Sequence, residues 1–195
     1  GKTTPFFDWF FKVRDVYETF IDTSKKVPLK FIRDVSEGNY KKEQVYIFNH
    51  NESFVKHEDT IYKIPFNSQD MLSALFYVRT FPKQNFKKKN FFIPVFMDEE
   101  NYFLEIMYLN NEVFSTRWGG VDCMVFKPRM QEGRVFEDGE DLKIWISDDE
   151  NRILVAVETK IWAGTIKAVL VGYENLIKSL KMVKLENLNK IKKIN

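Results

Sequence analysis

The stretch Leu142-Lys-Ile-Trp-Ile-Ser147, Asp148-Asp-Glu-Asn-Arg152, Ile153-Leu-Val-Ala-Val157 and, past Gly164, Ile166-Lys-Ala-Val-Leu170 decides the fold class. Side chains alternate along each apolar run, as they must when one face of a strand is buried and the other is wet. The polar pentapeptide between the first two runs is turn chemistry: Asp and Asn hydrogen-bond their own backbone. Strand, tight turn, strand, short loop, strand reads as an antiparallel meander.

Working outward, the same grammar recurs upstream. Residues 16–21 and 29–35 read as a strand pair, joined through the turn formers of Asp22-Thr-Ser-Lys-Lys-Val-Pro28. Glu37-Gly38-Asn39 makes the next turn, residues 40–48 and 60–64 continue the meander, and 49–52 is a hairpin tip. Strands follow at 91–97, 102–109, 112–116 and 121–127, with a polar turn at 98–101 and Asn110-Asn111 as a two-residue hairpin turn. Pro5-Phe-Phe-Asp-Trp-Phe-Phe11 is too apolar for solvent and is expected to plug the core.

A helix is expected over 67–80. Asn67 or Ser68 can cap it, and Met71, Leu72, Leu75 and Phe76 form an apolar stripe. Arg79 suits its C-terminal dipole, and Phe81-Pro82 stops it. Roughly ten strands with one helix bury a sheet face only if the sheet curls. The expected fold is therefore mainly β, a curved antiparallel sheet forming a half-barrel or incomplete barrel around the helix. Residues 1–175 read as one domain and 176–195 as a basic helical or disordered tail.

Composition sets limits on function. The 195 residues are 44% hydrophobic and 16% aromatic, with 19 Phe, which suits sheet faces and rules out a disordered chain. A net charge of +2 argues against a dedicated nucleic-acid binder. Basic residues do cluster at Lys87-Lys88-Lys89 and from Lys178 onward, and a solvated surface explains both better than an anionic partner. No apolar run is long enough to span a membrane as a helix, so an integral membrane protein is not expected. The one cysteine, Cys123, shares a strand face with Val121 and Val125 and reads as a buried, inert thiol.

Several strings together carry a resemblance. They are Asp8-Trp-Phe-Phe-Lys-Val-Arg-Asp15, Phe31-Ile-Arg33 with Glu37-Gly38 and Tyr40, and Asp70-Met-Leu-Ser-Ala74. Further along come Phe126-Lys-Pro128 with Gln131, Gly133-Arg134 and Phe136, then Trp145-Ile-Ser-Asp-Asp149 with Asn151-Arg152, and Gly164 with Ile166-Lys-Ala168. In this order they resemble the bacterial family catalogued as domain of unknown function 3108, up to about Tyr173. The resemblance implies an exported protein of the Gram-negative periplasm or envelope, with no activity, cofactor or catalytic residue attached to it. It also implies further N-terminal strands in the parent, so the chain reads as a fragment. Leu154 stands where the family tends to have Pro. A weaker similarity, at the level of fold alone, is to the lipoprotein carriers LolA and LolB, whose half-barrel holds acyl chains.

Candidate chemistry is sparse. His50 and His57, near Glu52, Glu58 and Asp59, lack zinc-type spacing and read as loop residues. Asp98-Glu-Glu100 and Asp148-Asp-Glu150 lack the Gly and distal Glu of a calcium loop and read as turns. No histidine sits in a nucleophile's setting and no Gly-rich loop could cradle phosphate, so neither an enzyme nor a cofactor is expected. What remains is a concave apolar lining of Tyr108, Phe126, Trp145 and Trp162, with core packing as the simpler reading. Arg14, Arg33, Arg129 and Arg134 sit in apolar strings. An inward arginine costs free energy unless paired, so Arg33 meets either Asp15, Asp34 or Glu37, or an anionic headgroup. Two functions compete: a binding or carrier module for an apolar or lipid-like ligand, and an interaction module for an envelope protein. A ligand cavity of roughly 300 Å³ or more would separate them.

Overall fold

The computed structural model describes residues 14–83, 86, 90–130, 142–161 and 164–183. The chain is mainly β, with one short α-helix among the described residues. The strands are β1 (Val16–Asp22), β2 (Val27–Glu37), β3 (Tyr40–Asn49), β4 (Phe54–His57), β5 (Thr60–Lys63), β6 (Phe91–Met97) and β7 (Glu100–Thr116). They continue with β8 (Gly119–Met130), β9 (Lys143–Ser147), β10 (Leu154–Ile161), β11 (Gly164–Val169) and β12 (Met182–Val183). The helix α1 spans Met71–Tyr77 and runs into a 3-10 turn at Val78–Thr80.

All strand pairs are antiparallel, but the strands divide between two sheets rather than one. One sheet has the order β1-β2-β3-β4-β5; the other runs β11-β10-β9-β8-β7-β6, with β12 beside β8. Neither order closes on itself. The chain also clusters into two compact units: residues 1–78 with 93–103, and residues 79–92 with 104–195. Strands β6 and β7 thread from one to the other.

In the first unit, register fixes which residues face in. Tyr17 pairs with Arg33 and Arg33 with Gln44; Thr19 pairs with Phe31 and Phe31 with Tyr46. Because side chains alternate, Phe31, Arg33, Val35, Gln44, Tyr46, Phe48 and Val55 share the inner face. There Phe31, Tyr46, Phe48, Val55, Ile64 and Phe96 form one core, with Met71 and Leu72 of α1 against it.

Helix α1 differs from its expected form. Asp70, not Asn67 or Ser68, is the N-cap: its carboxylate accepts from Leu72 and Ser73 N–H at 2.8 Å, and Ser73 Oγ accepts from Asp70 N–H at 2.9 Å. Asn67 instead takes a left-handed turn, at φ 59. Phe76 is exposed, and the buried helix residues are the small Ser73 and Ala74.

In the second unit, β8 and β9 are buried on both faces. Cys123, Val125 and Trp145 pack with Val121, Val155, Ala156 and Leu180 on one side. Phe126, Met124, Ile144 and Ile146 are buried on the other. The meander at 142–170 appears as read, as β9, β10 and β11. Two expectations are corrected. Asn110 and Asn111 make no turn; they lie within β7 opposite Val125 and Met124, just past a bulge at Leu109. Neither has the positive φ that a primed hairpin turn demands. Residues 54–57, unassigned in the sequence reading, form β4. Residues 176–183 carry no helix; Leu176 and Leu180 join the core and Met182 pairs with Val121. The expected aromatic plug at 5–11, the Lys87–89 cluster and the chain past 183 lie outside the described residues.

Candidate functional site

The tips of two hairpins in the first unit enclose a hollow. In the β1–β2 turn, Asp22 Oδ1 accepts from Ser24 N–H at 2.9 Å and Lys25 N–H at 3.0 Å. These bonds hold its carboxyl below the usual aspartate range. They also hold Lys25 outward, and its ammonium reaches Asn51 Oδ1, 3.2 Å away in the β3–β4 turn. That second turn is tied by Glu52 N–H to Asn49 Oδ1, 3.1 Å. His50 folds back over the apolar floor. Its ring lies parallel to Phe48 at 5.7 Å, and Nε2 donates to the Pro28 carbonyl at 2.8 Å. Burial above all pushes the His50 pKa down, against the opposite pull of the Pro28 carbonyl.

Between the turns lies an open space of about 470 Å³. Val27, Leu29, Ile47, Phe48 and Phe54 supply its apolar surface; Asp22, Lys25, Asn51 and Lys56 its polar rim. The volume lies within the range of small-molecule sites. An apolar surface whose rim carries two lysines against one aspartate suits a molecule with an apolar body and an anionic end. It offers no nucleophile held against a base. Among the described residues, no three of His, Cys, Asp and Glu gather as a metal site.

The residues singled out from sequence lie elsewhere. Arg33 is part-buried in the first unit, where Nη1 donates to Asp98 Oδ1 at 3.0 Å and Gln44 Oε1 at 3.3 Å, over the Tyr17 ring. Burial works against its charge, but Tyr17 and Asp98 outweigh it and raise the pKa. Its partner is thus none of Asp15, Asp34 and Glu37. Asp98 and Glu99 form the β6–β7 turn with positive φ at both positions, 48° and 66°. That turn brings Asp98 to Arg33 and Lys42, and Glu99 to Tyr62 and His57. Beneath it, burial above all pushes the Tyr46 hydroxyl up to about 12. This network fastens a turn to a sheet.

Tyr108, Phe126 and Trp145 belong to the second unit. Tyr108 packs on Phe126 with ring centres 5.9 Å apart, and Phe86 packs on both. Phe126 is fully buried. Trp145 packs on Phe114, and its indole donates to Glu112 at 2.5 Å. These three are packed against neighbours and none lines the hollow. Trp162, Arg134 and residues 131–136 lie outside the described residues. Arg129 is exposed on β8 rather than embedded.

The other candidates have local explanations. Cys123 is fully buried, and burial drives its thiol up to about 12. In the turn at 148–151, Asp149 Oδ1 accepts from Asn151 and Arg152 N–H at 2.9 and 3.1 Å, and from Ser147 Oγ at 2.8 Å.

The hollow had one readable signal. Gln44-Val-Tyr-Ile-Phe48 is apolar in both phases of the alternation, so Val45 and Ile47 must face outward wherever Tyr46 and Phe48 face in.

No curated protein and no solved structure matches this chain, and the similarity to the LolA and LolB carriers finds no support from solved structures. No described helix is long and apolar enough to cross a membrane. One family model matches, described as protein of unknown function (DUF3108), and it covers residues 1–171. With most of its length inside that match, the chain belongs to the DUF3108 family.

Proposed function

We propose that this protein is a non-catalytic binding module of the bacterial envelope, taking an apolar or lipid-like ligand with an anionic end. The observation that carries the reading is the 470 Å³ hollow between the β1–β2 and β3–β4 tips, with apolar Leu29, Ile47 and Phe54 beside Lys25 and Lys56. Apolar burial supplies affinity there and the lysines select charge. Export to the periplasm is part of the proposal and rests on the family resemblance.

The test uses a fluorescent fatty-acid analogue with the whole chain. Saturable binding is expected, lost on Leu29→Glu and weakened on Lys25→Glu, with unfolding curves unchanged because both side chains are exposed. Mass spectrometry of lipid that co-purifies with the protein would name the natural class. Binding that ignores both substitutions would remove the hollow as the site. The second reading, an interaction module for an envelope protein, draws on the packing of Phe126, Trp145 and Ile144 in the second unit, which are buried with almost no accessible surface. Absence of any fatty-acid or lipid binding would leave that reading.

A further inference from the structure

The outer face of the five-stranded sheet has a composition that solvent alone does not explain. Register places Phe20, Lys30, Ile47, Lys56 and Ile61 in one row straight across all five strands. Apolar and cationic side chains alternate along it. The apolar members are open: Phe20 is 52% exposed, Ile47 44% and Ile61 62%. Val45, in the adjoining row, is exposed as well. A solvated antiparallel face is ordinarily polar, so large apolar side chains recurring on it, interleaved with lysines, suit a surface that meets something.

Charge on this face is sorted by position. The row through Lys30 and Lys56, and the row beyond it ending in Lys63, contain no acid. The acids Glu18, Asp34 and Glu43 occupy the two rows on the opposite side. One end of the face is therefore apolar and mainly cationic, with Asp22 as an acid on the adjoining rim of the hollow, and the other carries the acids of the strands. Lys30 lies over the Phe20 ring, 6.0 Å from its centre, with the ammonium at the surface beside the apolar group.

We infer that the apolar, cationic end of this face docks on an anionic bilayer surface. Phe20, Ile47 and Ile61 enter the interface while Lys30, Lys56 and Lys63 meet acidic headgroups. That is the division of labour of peripheral anchors, in which apolar area and lysine charge add. A second copy of the chain fits poorly. Face-to-face pairing would bury lysines at the centre of the contact, and interface centres are depleted in Lys. The inference extends the binding-module reading, because Ile47 and Lys56 belong both to this row and to the hollow. Phe20 and Ile61 lie outside the hollow, so they test the membrane surface apart from the ligand site.

The experiment is flotation of the full chain with vesicles of phosphatidylcholine alone and of phosphatidylcholine and phosphatidylglycerol in equal parts. Binding is expected to the anionic vesicles only and to fade at high salt. Lys30→Glu with Lys56→Glu should weaken it about tenfold or more, given the attraction of each lysine to an anionic surface. Phe20→Glu and Ile61→Glu should each weaken it severalfold, with Phe20→Ser and Ile61→Ser in their place if a variant does not fold. The fatty-acid probe should still bind Phe20→Glu. Three results overturn the inference. One is no flotation with anionic vesicles. Another is flotation indifferent to these substitutions, which would place the contact on other basic residues. The third is a dimer in sedimentation that Phe20→Glu dissociates, which would make the occupant a second copy.

Discussion

The central strands of the two sheets are held in opposite ways. In the second, the central strands β8 and β9 are covered on both faces, so consecutive residues from Val121 to Phe126, with the exception of Asp122, are buried. In the first, only the inner face is covered, and Val45, Ile47 and Ile61 lie open on the other. Both sheets use apolar residues in both phases, yet only in the central strands β8 and β9 are both phases buried; Ile166 and Val169 of β11, at the edge of the same sheet, lie open. The difference separates apolar residues that the fold buries from apolar residues that it leaves open, and the proposed partner surface rests on the second kind.

The sharpest break of this comparison is in the second unit. Phe126 is fully buried and packed by Phe86 and Tyr108. Phe126→Ala should cost about 3–5 kcal/mol, transfer loss plus cavity. Urea unfolding measures it, and a cost near that of a surface residue would show the core to be loose. Fatty-acid binding should persist wherever the variant is folded, since the hollow belongs to the first unit.

Next in size is the cap of α1. Asp70 is fully buried, accepts two backbone N–H bonds, and accepts from Thr19 Oγ1 at 2.6 Å. Asp70→Ala should cost about 1–2 kcal/mol, the loss of an N-cap with its buried partners. Burial raises the Asp70 pKa despite those bonds. The native state therefore holds the proton more tightly than the unfolded chain does. That stabilisation is complete below the ordinary aspartate pKa and is lost as pH rises through the raised value. Asp70→Asn should lack this component. The stability difference between wild type and Asp70→Asn should thus move against wild type as pH rises through that window, and a difference flat in pH would refute the assignment.

A smaller effect is expected at Arg33, which tells how tightly the β6–β7 turn is held on the sheet. Arg33→Met leaves Asp98 its bond to Lys42 at 2.6 Å. With both partners partly exposed, the loss should be about 1 kcal/mol, and less at high salt. Thermal melting at two salt concentrations distinguishes this from a buried charge left alone, which would cost several times more.

What the sequence disclosed follows the same divide. Apolar patterning between turn signals found β1, β2, β3, β6 and the β9–β11 meander, but the wet face that alternation implies is missing from β9, which is buried on both sides. It missed β4 because four residues among charges carry too short a pattern. It misread Asn110-Asn111 because turn preference is local, whereas the strand there is set by the ladder to Val125 and Met124 and by the bond from Asn111 to Asp148 Oδ2 at 2.6 Å. Arg33 was read as meeting a nearby acid or an anionic headgroup; its partner Asp98 is 65 residues away, and no local pattern carries that distance. Aromatic content left Phe126 and Trp145 between a concave lining and core packing, with packing the simpler reading, and both are buried against neighbouring rings. The hollow instead comes from two turns meeting, which composition does not encode.

The smallest expected effect bears most directly on the comparison. Val45 lies on the outer face of β3, between the inward Gln44 and Tyr46, and is well exposed. Val45→Thr keeps the β-branched shape and adds a hydroxyl that solvent satisfies. If the outer face serves a partner rather than the fold, unfolding should shift by no more than about 0.5 kcal/mol. The same substitution at Val55, fully buried on the inner face opposite Phe48, places a hydroxyl among apolar neighbours. There the cost should reach about 1–3 kcal/mol. Equal costs at the two positions would mean that the outer face is covered within the folded chain in solution, and its apolar residues would then belong to stability after all.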